Sequence, residues 1–291
     1  MKPIKKVVIL TAGLGTRFLP MTKAIPKAML PILDKPVIQY LVEEALDSGI
    51  NEIIIVTGYG KRAIEEHFDH SYELEHELRS RNKLDLLENM EKIEKRARFV
   101  YVRQEDARGD GHALLCAADV IGEDPFAVLF GDDIIDSSTP ALRQLLALYE
   151  KTGNPILCTE KVPEDRVSDY GIIGVKSQNG AEIEVASLVE KPAAKDAPSN
   201  YGIVGKYICT PAVLRALAKS ESSHPDGEIR LIDGLRSLLE EGEKIHALEV
   251  EGKRYDTGTP WGLLEANIAF AQKNPELNAR LKKFLALSNK S

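Results

Sequence analysis

A glycine-rich segment with nearby cations follows the first apolar run of the chain, residues 7–10. Gly13 and Gly15 come directly after this run, and Arg17 and Lys27 follow a few residues later. A glycine-rich turn at the end of a strand exposes backbone N–H groups and lets a phosphate approach them closely. Backbone donors together with converging cations predict a site for a triphosphate.

Two common phosphate-binding motifs do not fit this segment. The dinucleotide fingerprint requires glycine at position 18, which is Phe18. The P-loop requires Gly-Lys-Ser/Thr after its intervening residues, but Gly15 is followed by Thr16 and Arg17. An ordinary strand-to-loop turn is the alternative, but it leaves the cations and the prolines at positions 20, 26 and 31 unexplained.

Carboxylates stand at the ends of two later strands. Asp132 and Asp133 follow the apolar run 126–130, and Asp256 precedes a glycine after a strand predicted at 245–250. Ligands of open α/β sheets bind at the carboxyl ends of strands, and Mg²⁺ is held by a few carboxylates plus phosphate oxygens. Because aspartate also commonly caps helices, a turn that only starts the next helix is the alternative for Asp132.

The elements that must position these residues alternate between strands and helices. The first four are predicted at 7–10, 36–48, 52–56 and 61–68, which is the β-α-β-α order of a parallel sheet. Further strands are predicted at 98–103, 126–130, 155–160, 170–175, 183–189 and 245–250, and further helices at 113–120, 139–151, 211–218, 228–240, 261–272 and 275–287.

Residues 71–96 interrupt this order with a charged segment of helical periodicity, which predicts one or two exposed amphipathic helices. A solvated surface helix is the simplest interpretation, and an oligomer contact or a flap over the site is the alternative.

Composition limits the class of protein. The chain has 291 residues, a net charge of −7 and no apolar run near the roughly 20 residues that cross a bilayer. These values argue against binding to nucleic acid or insertion into a membrane, and we expect a cytoplasmic protein. The three cysteines are widely spaced, which predicts buried thiols rather than a zinc site or a disulfide framework.

The string A-G-L-G-T-R-F-L-P-x-T-K-x-x-P-K-x-M-L-P-I, from residue 12 onward, resembles the signature of bacterial UTP–glucose-1-phosphate uridylyltransferases, which are sugar nucleotidyltransferases. The strings R-Q-x-x-x-x-G-x-G-H-A from residue 103, V-E-K-P from residue 189 and A-P-S-N-x-x-x-x-G-K-Y from residue 197 resemble the same family. The resemblance therefore covers nearly the whole chain.

The resemblance implies a Rossmann-like nucleotidyltransferase fold of the α/β class, with a mixed, mainly parallel sheet flanked by helices on both sides. We treat residues 1–291 as one domain, with a nucleotide-binding half at about 1–135, a sugar-binding half at about 136–260 and C-terminal helices at 261–291. A homodimer or homotetramer is expected, and the implied substrates are UTP and glucose 1-phosphate.

The resemblance also implies a role for each matching residue. The catalytic cations would be Arg17 on the leaving pyrophosphate, Lys27 on the α-phosphate and Lys191 on the sugar phosphate. The remaining implied residues are Ala12, Gly13, Gly15, Thr16, Gln104 and Gly109 for the nucleotide, Gly171, Glu190 and Val204 for the sugar, and Asp132 and Asp256 for Mg²⁺. The implied reaction is an in-line transfer of the uridylyl group without a covalent intermediate.

Several positions depart from the family pattern. Ala28 replaces the usual glutamate, Asp110 the usual leucine, and Gly131 the usual alanine or proline. The string D-T-G-T-P from residue 256 also resembles thymidylyltransferases of the same fold. A thymidylyltransferase and a catalytically weak regulatory paralogue are therefore the alternatives, although the paralogue would be expected to lack the catalytic residues; a dinucleotide-dependent enzyme is disfavoured by the failed fingerprint.

Overall fold

The computed structural model describes residues 1–220 and 226–288. The strands are β1 (Lys6–Leu10), β2 (Pro31–Ile32), β3 (Lys35–Pro36), β4 (Glu52–Thr57), β5 (Arg98–Arg103), β6 (Phe126–Phe130), β7 (Asp133–Asp136), β8 (Ile156–Lys161), β9 (Gly171–Asn179), β10 (Glu182–Glu190), β11 (Tyr201–Cys209), β12 (His246–Glu249) and β13 (Lys253–Asp256). The α-helices are α1 (Val37–Asp47), α2 (Arg62–Phe68), α3 (Tyr72–Ser80), α4 (Leu84–Glu94), α5 (Asp110–Cys116), α6 (Ala118–Ile121), α7 (Ala141–Thr152), α8 (Pro211–Lys219), α9 (Leu231–Glu240), α10 (Pro260–Lys273) and α11 (Pro275–Ser288).

One mixed sheet of nine strands forms the centre of the molecule, in the order β5-β4-β1-β6-β11-β8-β12-β10-β9. Strands β5, β4, β1 and β6 are parallel, as the β-α-β-α order predicts. Strand β11 then runs antiparallel to both β6 and β8, and β12 runs parallel to β8. Strands β9 and β10 form an antiparallel pair. The prediction of an α/β fold with a mixed sheet flanked by helices is confirmed, although among the described strands the parallel and antiparallel neighbours of this order are equally frequent.

Hydrophobic layers cover both faces of the sheet because successive residues of a strand point to opposite sides. In β1, Val7 and Ile9 pack with α1 and α7, whereas Val8 packs with α5, α8 and α9. Both faces of β11 are buried along its whole length. Strands that are buried on both faces read as continuous apolar runs, which is why the sequence indicates them clearly.

Two predicted helices differ from the structure at their starts. The helix predicted at 113–120 begins earlier, at Asp110, because Gly109 adopts a φ of 96° and turns the chain into the helix there. It is also divided into α5 and α6. The helix predicted at 228–240 begins later, at Leu231, because Arg230 is extended and its N–H donates to Asp233 Oδ2 at 2.9 Å.

The charged segment 71–96 forms two helices, α3 and α4, joined by a turn with Asn82 at a φ of 54°. In the described ranges, no helix has the length and apolar character needed to cross a bilayer. The three cysteines are free thiols; Cys158 and Cys209 are buried, as predicted, whereas Cys116 is partly exposed.

Candidate active site

The glycine-rich loop after β1 folds back onto the segment that carries Lys27. Gly15 has a φ of 67°, and a Cβ there would lie 3.1 Å from Thr22 Cγ2 and 3.2 Å from Lys27 Cβ. Thr22 Oγ1 donates to the Gly15 carbonyl at 2.7 Å. The left-handed backbone and the tight packing both favour glycine at this position, so the loop and Lys27 are held as one unit.

Two lysine side chains hold the glycine-rich loop and the neighbouring end of β6 in place. Lys27 Nζ forms an ion pair with Asp132, which follows β6. Lys61 Nζ donates to the Gly13 carbonyl at 2.8 Å, and the Lys61 side chain is buried. Burial, and then the nearby charge of Lys27, lower the pKa of Lys61. Lys61 is a residue that sequence reasoning missed, although its place just after the turn that follows β4 was an available signal.

Asp132 and Asp256 come together where β6 and β13 end. The N–H and Oγ1 of Thr257 donate to the Asp132 carbonyl at 2.9 and 2.8 Å. A side chain at Gly258 would collide with the Asp132 carboxylate and would lie 3.0 Å from Asp256 Oδ1. The two carboxylates therefore approach the same point in space, as the resemblance implies for a shared metal ion.

Asp133 is turned away from this point although it is adjacent to Asp132 in the chain. Its Oδ2 accepts from the Gly205 N–H at 2.8 Å, and its Oδ1 accepts from Arg254 Nε at 2.6 Å. Arg254 Nη1 also donates to Glu160 Oε1 at 2.7 Å. Both Asp133 oxygens thus accept hydrogen bonds within the protein, so Asp133 fixes the positions of Gly205 and Arg254 rather than facing a ligand.

This network also affects Asp256. Burial raises the pKa of Asp256, the nearby charge of Arg254 lowers it, and Asp132 and Asp133 raise it further. Arg254 and Asp256 are two residues apart on one strand and therefore share a face. That spacing was the signal in the sequence that could have identified Arg254.

A cavity of about 220 Å³ lies beside the glycine-rich loop. Five residues predicted for the nucleotide or its phosphates line it, namely Ala12, Gly13, Lys27, Gln104 and Gly109. Gln104 is buried, and its Nε2 lies 3.0 Å from both the Gly109 carbonyl and His112 Nδ1. His112 thus contacts the amide of Gln104 and helps to fix its position.

A larger cavity of about 640 Å³ adjoins the first and shares Asp110, Phe130, Asp132 and Glu228 with it. The predicted residues that line it are Arg17, Asp132, Gly171, Glu190, Lys191 and Asp256. Asp132 thus lines both the cavity with the predicted nucleotide residues and the cavity with the predicted sugar residues, whereas Asp256 lines the larger cavity alone.

Three predicted site residues lie outside the linings of both cavities. Gly15 and Thr16 shape the glycine-rich loop but do not line either space. Val204 is 2% exposed and packs in the core, whereas Ile203 and Gly205 on either side of it face the larger cavity. The expectation that Val204 lines the sugar ring is therefore not met, because the pleat of β11 turns its side chain to the opposite face.

Arg17 and Lys191 are two cations of the larger cavity whose charged groups are exposed to solvent. Arg17 is exposed and, in the part of the chain that the structure describes, has no hydrogen bond or ion pair. Lys191 has a φ of 44°, which is uncommon for a residue with a side chain. Its Nζ lies 3.9 Å from Glu190 Oε1, and half of its side chain is exposed. Both are available for an anionic ligand.

Asp110, one of the departures noted in the sequence, lies where the two cavities meet. Its Oδ1 accepts from the Leu231 N–H at 2.6 Å, at the start of α9. Burial raises the pKa of Asp110 to about 6. Ala28, the second departure, is buried in the core in the turn that carries Lys27; nothing in the structure explains it.

A doubly covered α/β sheet with a glycine-rich loop, converging cations and a carboxylate pair at two adjoining cavities is typical of a nucleotidyltransferase. Comparison with known proteins agrees, since a sequence profile of the nucleotidyl transferase family matches residues 6–273. The chain is 47% identical over 285 residues to a UTP–glucose-1-phosphate uridylyltransferase of Bacillus subtilis, with 98% of this chain and 97% of the relative covered. The chain belongs to the nucleotidyl transferase family, in the branch of UTP–glucose-1-phosphate uridylyltransferases.

Two solved structures are similar over almost the whole chain. A UDP-glucose pyrophosphorylase complexed with UDP-glucose is 41% identical with a TM-score of 0.85, covering 93% of this chain and 100% of that one. A UTP-bound enzyme of the same kind from Acinetobacter baumannii is 36% identical with a TM-score of 0.89, covering 97% and 99%.

Proposed function

We propose that this protein transfers the uridylyl group of UTP to α-D-glucose 1-phosphate and forms UDP-glucose and pyrophosphate. The observation that carries the proposal is that Asp132, which lines both cavities, and Asp256, which lines the larger one, direct their carboxylates to the same point. The relatives named as UTP–glucose-1-phosphate uridylyltransferases, and the solved structures with UTP and UDP-glucose, support this choice of substrates.

The chemistry follows from charge and position. A phosphate oxygen of glucose 1-phosphate attacks the α-phosphorus of UTP, a new P–O bond forms, and the bond to pyrophosphate breaks in line with it. Because the sugar phosphate is already a nucleophile, the protein mainly has to align two polyanions and neutralise their charge. Lys27 would hold the α-phosphate, Lys191 the attacking phosphate, and Arg17 the departing pyrophosphate.

Asp132 and Asp256 would also hold Mg²⁺. Their carboxylates approach one point, and carboxylates are the protein ligands that Mg²⁺ uses together with phosphate oxygens. Asp256 lies beside like charges that raise its pKa, so a cation at this point would relieve their repulsion. A bound Mg²⁺ supplies Lewis acidity and a template for the phosphates.

The test is pyrophosphate release with Mg²⁺ and glucose 1-phosphate, in which UTP is compared with dTTP, CTP, ATP and GTP. We expect UTP to be strongly preferred. Preference for dTTP would keep the mechanism and move the protein to the thymidylyl branch that the string D-T-G-T-P from residue 256 favours. No release with any nucleotide would favour the regulatory paralogue.

Asp132→Asn tests the carboxylate pair, with Asp119→Asn on α6 as a matched control that lies outside both cavity linings. We expect the first variant alone to lose turnover and to require more Mg²⁺. Retained turnover and an unchanged Mg²⁺ requirement in Asp132→Asn would contradict the proposed role of the pair.

The assembly state and the location of the protein stay predictions. Exposed apolar side chains on α10 and α11, such as Trp261, Leu264 and Leu287, support a homodimer or homotetramer. Light scattering coupled to gel filtration would measure the mass, and a monomer would contradict this prediction. The cytoplasmic location follows from the sequence composition alone.

A further inference from the structure

Arg230 occupies the wall of the larger cavity, just before α9. Its side chain is 16% exposed, and its guanidinium faces three carboxylates. Nη1 donates to Glu190 Oε1 at 3.1 Å, Nη2 to Asp226 Oδ2 at 2.5 Å, and Nε to Glu228 Oε2 at 3.4 Å. The planar fork of arginine can donate in several fixed directions at once, which a lysine cannot do.

The backbone around Arg230 is also held in place. The Arg230 N–H donates to Asp233 Oδ2 at 2.9 Å, and the next N–H, that of Leu231, donates to Asp110 Oδ1 at 2.6 Å. The Gly111 N–H donates to the Ile229 carbonyl at 2.9 Å, which ties this turn to α5. The position of the guanidinium is therefore set by the fold before any substrate arrives.

Glu190 gains a defined orientation from this contact. Oε1 is the oxygen that accepts from Arg230, and it is also the oxygen 3.9 Å from Lys191 Nζ. Oε2 faces Gly171, since a Cβ at position 171 would lie 3.2 Å from it. The carboxyl torsion of glutamate has a broad preference, so the hydrogen bond from Arg230, which is shorter than the Lys191 contact, fixes the orientation of the carboxylate plane and with it the direction in which the second oxygen faces.

We propose that Arg230 is a positioning residue for sugar selection. It holds Oε1 of Glu190 and leaves Oε2 as the acceptor for one hydroxyl of the sugar ring. The site then distinguishes hexose 1-phosphates by the direction of a single hydroxyl group. This inference rests on the proposed function, because it concerns the sugar phosphate that the same cavity accepts.

The physical basis is the cost of an unmatched polar group. A site built to hydrogen-bond one hydroxyl rejects an analogue that lacks it by a large factor, and misplacement by about 1 Å can cost roughly 100-fold in rate. A freely rotating Glu190 would still accept hydrogen bonds, so we expect a partial loss, of about tenfold, in discrimination.

The experiment compares Arg230→Gln and Arg230→Lys with the wild type. The glutamine variant loses the charge, whereas the lysine variant keeps the charge and loses the fork. A loss of folding that comes only from the lost charge would therefore appear in the glutamine variant and not in the lysine variant. Arg236→Gln is the matched control, because Arg236 lies on α9, which Arg230 directly precedes, donates to the Leu188 carbonyl at 3.3 Å and does not line the cavity.

The readouts are kcat and KM for glucose 1-phosphate, galactose 1-phosphate and UTP. In both Arg230 variants we expect KM for glucose 1-phosphate to rise about tenfold, KM for UTP to stay within about twofold, and the glucose-to-galactose ratio of kcat/KM to fall about tenfold. An unchanged ratio in variants of normal thermal stability would overturn the inference. A parallel rise of both KM values with a lowered Tm would also overturn it, because that pattern indicates a purely structural role.

A binding measurement separates this inference from the proposed function. Calorimetry would titrate each hexose 1-phosphate into the protein with a non-hydrolysable α,β-methylene analogue of UTP present. Wild-type preference for glucose 1-phosphate that is lost in both Arg230 variants supports the inference even if turnover is absent. Binding of neither hexose 1-phosphate to the wild type would overturn it.

Discussion

Replacement of Arg254 by methionine should destabilise the protein strongly, because it removes one partner of a buried ion pair. The Arg254 side chain is 14% exposed and that of Asp133 is 7% exposed, and their Nε–Oδ1 distance is 2.6 Å. After the change, the buried Asp133 carboxylate keeps the Gly205 N–H but loses its counter-charge. Glu160 loses the Nη1 donor at 2.7 Å as well.

The expected size follows from similar cases. Removal of one partner from a buried pair costs about 3–5 kcal/mol, since it leaves an uncompensated charge. For a chain of this size, each kcal/mol lowers Tm by about 2–4 °C, so we expect Tm to fall by about 6–20 °C. Urea unfolding followed by circular dichroism would give the free energy, and a thermal scan would give Tm.

Two companion variants make the test specific. Asp133→Asn combined with Arg254→Met removes both charges and should be more stable than Arg254→Met alone, because no charge stays buried without a partner. Arg215→Met is the exposed control, since Arg215 pairs with Glu123 at 2.9 Å with more than half of each side chain exposed. It should cost less than about 1 kcal/mol.

The same change should alter the pH dependence of turnover. Arg254 lowers the pKa of Asp256, so its loss should raise that pKa further. Because Asp256 must be ionised to hold a cation, the acidic limb of the kcat profile should move to higher pH.

A stability loss below about 1 kcal/mol in Arg254→Met, or a double variant no more stable than Arg254→Met alone, would refute the argument for a buried charge pair.

Three further changes give separate outcomes. Arg17→Ala should lower kcat by about 10²–10³ with an unchanged Tm, because an exposed side chain without partners in the described residues supports charge development rather than folding; near-normal turnover would end this assignment. Lys206→Met should cost about 3–5 kcal/mol, since Lys206 is fully buried and pairs with Glu44 at 2.7 Å; urea unfolding measures this, and addition of Glu44→Gln should recover part of the loss. Burial raises the pKa of Asp110 from 3.8 to about 6, so the free energy of unfolding falls as pH rises from about 4 to 6, because the carboxyl ionises in the unfolded chain before it ionises in the folded protein. Asp110→Asn should therefore gain about 2 kcal/mol at pH 7.5 and flatten the fall in stability between about pH 4 and 6. A urea midpoint that is the same as in the wild type at pH 7.5 and at about pH 4 would contradict the burial argument.

The sequence by itself determined the order of the elements. Parallel strands buried on both faces appear as continuous apolar runs, and helices appear by their periodicity, so β1, β4, β5 and β6 were predicted within a residue or two. The glycine-rich loop, its cations and the strand-end carboxylates were also visible, because their residue types and spacing leave few alternatives.

Side-chain direction inside β11 needed the structure. All nine residues of this strand are buried, so polarity does not alternate along it and the sequence gives no indication of which face meets the cavity. The resemblance implied Val204 for the sugar site, whereas its neighbours Ile203 and Gly205 are the residues that line the larger cavity.

The physical basis for the different roles of the adjacent carboxylates appears only in the tertiary structure. In the sequence, Asp132 and Asp133 both follow the end of one strand, and the resemblance implied Asp132 as the metal ligand without showing why Asp133 differs. Strand β13 pairs with β7 so that Asp256 lies opposite Asp133, and the pleat directs Asp133 to Arg254 and the Gly205 N–H. Of the two adjacent carboxylates, Asp132 is the one that lies close to Gly258 together with the Asp256 carboxylate. The two partners that fix Asp133 lie more than 70 positions away from it in the chain, so no local pattern in the sequence shows these contacts.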